Sequence, residues 1–208
     1  MFSERTVVML SFEGPDVYAQ AGGLGVRAAE LSAALAAAGA ATHLYFIGDP
    51  RLPSTEERAP GLTLHRWSQW ISAYHPGGVY DGEWGKINDY TASVPAAIID
   101  DVVAPAVARD QRVLVLAEEW HATFACIALD RLLRERDLRR HVTMLWNANN
   151  TFGFEHIDWI ALQAAATVTT VSKYMKFELA ALTGAQALVI PNGIPQRLIG
   201  GPDPALVK

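Results

Sequence analysis

The chain has 208 residues, half of them hydrophobic, a formal net charge of −5 and a single cysteine. That length and apolar content suit one large domain with a substantial core. The acidic balance excludes an extended nucleic-acid surface, which needs clustered positive charge. The one basic stretch, Arg131 to Arg140, also carries Glu135 and Asp137 and reads as a solvated helix end. Cys126 lies among Phe124, Ala125, Ile127 and Ala128, as a small core residue would, and a lone cysteine predicts a reduced, cytoplasmic setting. Met1 to Arg5 has no signal pattern, and no apolar run nears the roughly 18 residues that span a bilayer, so no membrane insertion is expected.

Short β-rich runs alternate with helical ones. Thr6 to Phe12 reads as a buried strand, and Leu24 to Ala38 as a helix with Leu24, Ala28, Leu31 and Leu35 on one face, closed by Gly39. Ala41 to Ile47 is a second strand; Gly48, Asp49, Pro50 and Pro53 mark a loop; Leu62 to Trp67 is a third strand. Trp67 to Tyr90, rich in glycine and aromatic residues, reads as a long functional loop. Then follow a helix over Ile98 to Val107, a strand over Arg112 to Ala117, a helix over His121 to Arg136 and a strand over Val142 to Trp146. Ile157 to Ala166 is a shorter helix and Ala166 to Val171 a strand. Ser172 caps a helix from Lys173 to Leu182, Gly184 stops it, and Ala187 to Ile190 is the last strand. The proline- and glycine-rich segment from Pro195 onward reads as a linker, giving a domain over 1–194 and a linker over 195–208.

This alternation predicts an α/β fold, a mostly parallel sheet with helices on both faces. Ligands in such sheets gather at the carboxyl ends of the strands, here Ser11 to Gly25, Asp49 to Pro53, Glu118 to His121 and Asn147 to Phe154. In the first, Gly22-Gly23-Leu24-Gly25 opens a helix, so its backbone N–H groups could receive a phosphate. Gly23-x-Gly25-x-x-Ala28 with Asp49 also fits a dinucleotide fingerprint, and a nicotinamide-dependent oxidoreductase domain is the rival reading. Against it, Glu13 to Gly22 separates strand from glycines where that fingerprint has a tight turn. A Gly-Lys-Ser/Thr phosphate loop is absent.

Four segments in order, Ser11-x-Glu13-x-Pro15 leading into Gly22-Gly23-Leu24-Gly25, Ala117-Glu118-Glu119-Trp120-His121-Ala122, Val168-Thr169-Thr170-Val171-Ser172 and Val189-Ile190-Pro191-Asn192-Gly193-Ile194, resemble glycogen and starch synthases and related retaining glycosyltransferases. The resemblance spans nearly the whole chain. It implies a Rossmann-like domain forming the N-terminal, acceptor-side half of a GT-B architecture. The C-terminal domain of that architecture binds most of the nucleotide-sugar and neutralises its leaving diphosphate. Transfer of a glycosyl group, glucosyl by the same resemblance, to a sugar or glucan hydroxyl is the activity implied, by a chain that is incomplete alone. No cofactor and no metal is expected.

By the same resemblance His121 lies near the donor sugar as the catalytic contribution, and Gly22, Gly23, Gln20 and Asn147 lie on the donor side. Gln20 stands where the family carries a lysine, Val26 where an aspartate often follows, Glu119 where an aspartate precedes Trp-His, and Asn147 where a histidine precedes asparagine. These departures leave the donor base open. Asn149 and Asn150, whose amides both donate and accept, suit sugar hydroxyls, with Glu119 beside them. Trp70, Tyr74, Tyr80 and Trp84 form a candidate acceptor surface, since pyranose C–H faces stack on aromatic rings. A carbohydrate- or nucleotide-binding module without catalysis is the third reading.

Overall fold

The computed structural model describes residues 5–194 and Ile199, so the linker expected over 195–208 otherwise lies outside the described residues. Strands β1 (Arg5–Leu10), β2 (Ala41–Ile47), β3 (Thr55–Ala59), β4 (Leu62–Trp67), β5 (Arg112–Glu118), β6 (Val142–Ala148), β7 (Thr167–Thr170) and β8 (Leu188–Val189) form one sheet. Its order is β3-β4-β2-β1-β5-β6-β7-β8, parallel throughout except for the antiparallel β3. Val7 to Leu10 have no exposed surface, as expected of a central parallel strand covered on both sides.

Helix α1 (Gly23–Ala37) covers one face, over Val7, Met9, Leu44, Phe46, Leu62 and Leu64. Its buried line is Gly25, Ala28, Ser32 and Ala36, with Leu31 and Leu35 only flanking, because small side chains let the helix lie close to the sheet. On the opposite face α3 (Glu83–Ile98), α5 (Thr123–Glu135) and α6 (Trp159–Ala165) enclose Val8, Leu10, Tyr45, Ile47, Val113, Val115 and Trp146. Cys126 is fully buried there, and burial pushes its thiol up to about 12. Ser172 caps α7 (Lys173–Thr183) by accepting from the Met175 amide, and Gly184 ends it in the left-handed region.

The structure corrects or completes the sequence reading at three points. The stretch from Trp67 to Tyr90 is not all loop: it holds α2 (Gln69–Ser72) and the first turns of α3. From Glu83 the helix runs on through a π turn at Ile99–Val103 into α4 (Ala104–Ala108), the widening preceding Pro105, which has no N–H to donate to the Asp101 carbonyl and whose ring crowds it. This 26-residue helix is long and apolar enough, by length and composition, to cross a membrane; in the fold Ile87, Tyr90, Val94, Ile98, Ile99, Val102, Val103 and Ala106 build the core. Finally β3 is an edge strand that carries Glu56, Glu57 and Arg58, a segment to which the sequence assigned no element. Such charges suit an edge whose unpaired backbone would otherwise recruit another strand.

Neighbours of β1 are β2 on one side and β5 on the other, so the chain reverses its direction of travel across the sheet at β1. The crevice at that switch point lies between the segments after β1 and after β5.

Candidate functional site

After β1 the chain turns back so that Glu13, 4% exposed, sits at the N-terminus of α1. One oxygen, Oε2, accepts from the amides of Ala21, Gly22 and Gly25 at 3.1, 2.8 and 3.0 Å, while Oε1 accepts from the Tyr80 hydroxyl at 2.6 Å. An internal carboxylate thus occupies the place where a helix N-terminus would receive an external anion. Gly23 remains exposed, and a Cβ built there would meet no atom within 4 Å, so this point of the turn stays open to a ligand. Gln20 is exposed beside it.

β5 ends at Glu118, 1% exposed and paired with Arg27 of α1: Nε to Oε2 is 2.9 Å and Nη2 to Oε1 is 3.0 Å. Arg27 also bonds Asn192 through Nη1. Asn147 donates to Glu118 at 3.0 Å and accepts from the Thr169 hydroxyl at 3.1 Å, so its carbonyl and one amide hydrogen serve the fold. A cavity of about 170 Å³ adjoins this network, between Leu31, Leu116, Leu145 and Ile190. A larger one of about 470 Å³ lies among Val142, Thr143, Gln163 and Thr167, toward the opposite, amino ends of β6 and β7.

Glu119 has φ 64° and ψ 173°, a region that side-chain-bearing residues rarely enter, at a cost of roughly 1–3 kcal/mol. The surroundings hold it there: its amide donates to Asn147 O, its carbonyl accepts from Trp146 Nε1, and its carboxyl accepts from the Asn149 amide at 2.7 Å. Burial, reinforced by Glu118 and opposed by Asn149, pushes this carboxyl up to about 7. Two residues on, His121 is 4% exposed, its ring stacked on Phe12 with centroids 4.3 Å apart and leaning on Trp120 at 4.0 Å. Burial lowers its pKa although Glu83 lies 2.6 Å from Nε2. Nε2 donates to the Glu83 carboxylate, and Nδ1 is buried with no partner among the described residues.

The predicted aromatic residues divide. Tyr80 lies 5.4 Å from His121 and 5.7 Å from Phe12 by ring centroids. Trp84, 48% exposed, contacts Trp120 at 5.5 Å and His156 at 5.1 Å, and Trp120 also contacts Phe152 at 6.5 Å and His156 at 5.0 Å. No ring contact joins Trp70 or Tyr74 to this group among the described residues; both are exposed, and Trp70 donates to Asp89. Asn150 is exposed and accepts from the Phe152 amide, while Asn149 donates weakly to Glu118 and leaves Oδ1 unpartnered among the described residues. Sequence reasoning missed Arg27, Phe152 and His156 as members of the site. The structure shows how Phe152 joins the group: Gly153 follows it with φ 71°, and a Cβ there would fall 2.3 Å from the Trp120 ring. Asp49, the acid of the dinucleotide reading, is held by Arg51 through both oxygens.

The strand order, the helices on both faces and the loops gathered at the switch point define a Rossmann-like α/β domain. No family model and no curated protein matches the sequence. Among solved structures the chain is similar to the catalytic domain of starch synthase IV from Arabidopsis thaliana bound to ADP and acarbose, with a TM-score of 0.68 and 13% identity over 96% of this chain. That likeness establishes the fold, and this chain spans 54% of the length of that one.

Proposed function

We propose that the chain is the acceptor-side domain of a retaining glycosyltransferase that moves a glycosyl group, glucosyl in our reading, from a nucleotide-sugar to a sugar or glucan hydroxyl. The observation that carries this reading is one chain of contacts at the switch point. Gly22 bonds Glu13, Glu13 bonds Tyr80, and the Tyr80 ring lies against His121, so glycine turn, aromatic segment and histidine form one surface. The similar starch synthase catalytic domain was solved with ADP and acarbose, a nucleotide and a carbohydrate.

In this reading the donor diphosphate comes to the exposed Gly23, whose backbone N–H is not among the three that Glu13 engages at this helix start, and needs no metal ion there. Gln20 lies beside it on the donor side, and Asn147 acts by fixing the strand end. His121 serves the donor-sugar side in this reading, its ring held in place by Glu83, Phe12 and Trp120. Neutralising the leaving group is assigned to a second, donor-binding domain, so the chain alone transfers no sugar. A reducing, cytoplasmic setting suits its single buried thiol.

Two measurements test this. Electrophoresis of the 208-residue chain through native gels cast with glycogen is expected to show retardation, and unaltered mobility at every glycogen concentration would remove the acceptor reading. Titration with NADH addresses the oxidoreductase alternative, where saturable binding would favour the rival. The engaged Asp49 carboxylate supports our choice, because a ribose would have to displace Arg51.

A further inference from the structure

Trp84 and Phe152 come from segments far apart in sequence, the start of α3 and the turn after β6, yet both rings rest on the same buried indole, Trp120. Trp120 is 3% exposed, whereas Phe152 is 71% exposed and Trp84 about half so. A large apolar ring held in water by a buried scaffold gains little for the fold and is available for a ligand. The scaffold is also specific. Gly153 allows the Phe152 turn to lie directly on Trp120, Asn150 fixes that turn by accepting from the Phe152 amide at 2.8 Å, and His156 packs edge-on to Trp84.

The surroundings indicate the chemistry of the occupant. Around the two rings stand an amide (Asn150), a carboxylate (Glu155) and an imidazole (His156), all exposed. Exposed rings bordered by groups that donate and accept without a concentration of positive charge fit a neutral polyhydroxylated ligand better than an anion or a lipid surface. Pyranose rings with equatorial hydroxyls meet this pattern, since axial C–H groups stack on the aromatic face while hydroxyls reach the polar border.

We propose that Trp84 and Phe152 form a stacking platform for an oligosaccharide of gluco-configured rings, with His156 and Asn150 at its border. The platform rests on the acceptor-domain reading above and names the residues that grip the acceptor. It replaces the broader aromatic surface expected from sequence, in which Trp70 and Tyr74 took part.

Calorimetric titration of the full chain with maltopentaose tests the platform. Wild type is expected to bind, and Trp84→Ala and Phe152→Ala each to weaken binding by about tenfold or more, as truncation of an aromatic anchor does. Trp84→Tyr and Phe152→Tyr are expected to retain most of the affinity, and Phe177→Ala, an equally exposed ring on α7, to leave it unchanged. Circular dichroism confirms that each variant is folded. Binding by wild type that survives both alanine substitutions, or that is lost equally in Phe177→Ala, would overturn the platform and leave the acceptor reading intact. No binding by wild type would count against the acceptor reading itself and remove the platform with it.

Discussion

The Tyr80 hydroxyl donates to the Glu13 carboxylate at 2.6 Å, and the other oxygen of that carboxylate holds the amides of Ala21, Gly22 and Gly25. Two segments more than fifty residues apart in sequence thus meet on one charged group. In our reading this fixes the donor-side turn relative to the aromatic segment without a ligand.

Tyr80→Phe keeps the ring against Phe12 and His121 and removes only the hydroxyl. It is expected to cost about 1.5–2 kcal/mol in urea unfolding, the lower part of the range of a hydrogen bond to a charged acceptor. Glu13→Gln removes the negative charge that three backbone amides and the Tyr80 hydroxyl share, and turns an NH2 toward Tyr80 if its carbonyl keeps the backbone donors; it is expected to cost more, about 3 kcal/mol. The double variant should lose less than both effects added, by at least about 0.5 kcal/mol, because the two residues share one bond. Additive losses would mean that the 2.6 Å contact contributes nothing.

Gly153→Ala would place a Cβ 2.3 Å from the Trp120 ring at a backbone φ of 71°. Both clash and strain oppose it, so a loss of about 2–3 kcal/mol in thermal unfolding is expected, with altered near-ultraviolet dichroism from the displaced indole. A loss below about 0.5 kcal/mol would show that Trp120 can move aside at little cost.

The alternation of strands and helices was legible in the sequence because apolar period and end signals agreed, as at Ser172 and Gly184. β3 was not, since Thr55-Glu56-Glu57-Arg58-Ala59 buries almost nothing and a charged edge strand has no apolar alternation to read. The first turns of α3 were hidden by Gly82 and Gly85, which signal a loop, although Tyr90, Val94 and Ile98 anchor the helix from its far end. In the candidate site the carboxyl-end segments were identifiable, but the partners were not. Nothing local to Glu13 announces that it turns back onto Gly22, and nothing local to Asn147 announces that Glu118 and Thr169 use its amide. Those pairings are set by strand register, with Glu118 opposite Asn147 and Asn147 opposite Thr169.

Arg27→Met removes the cation facing Glu118, which is 1% exposed and keeps, among the described residues, only the amides of Asn147 and Asn149. A buried carboxylate stripped of its ion-pair partner is expected to cost about 3–5 kcal/mol in guanidinium unfolding. Adding Glu118→Gln should recover part of that loss, since a neutral amide carries no comparable desolvation penalty. A single-variant loss under about 1 kcal/mol would assign the work of holding Glu118 to the asparagines alone.

Glu119 gives the chain a pH dependence whose sign is fixed by its environment. Burial raises its carboxyl from an ordinary 4.5 to about 7, so between those values the folded protein keeps a proton that the unfolded chain releases. The contribution to stability is therefore full below pH 4.5, declines as pH rises and is lost above about 7. At 1.36 kcal/mol per pK unit the decline amounts to about 3 kcal/mol. Glu119→Gln keeps an oxygen for the Asn149 amide and cannot ionise. Relative to wild type the variant is expected to gain about 3 kcal/mol between pH 4.5 and 8, other titrating groups cancelling in the difference. Urea midpoints of both proteins across that range provide the measurement. A constant difference would mean that Glu119 is ionised throughout, the Asn149 amide at 2.7 Å outweighing the cost of burial.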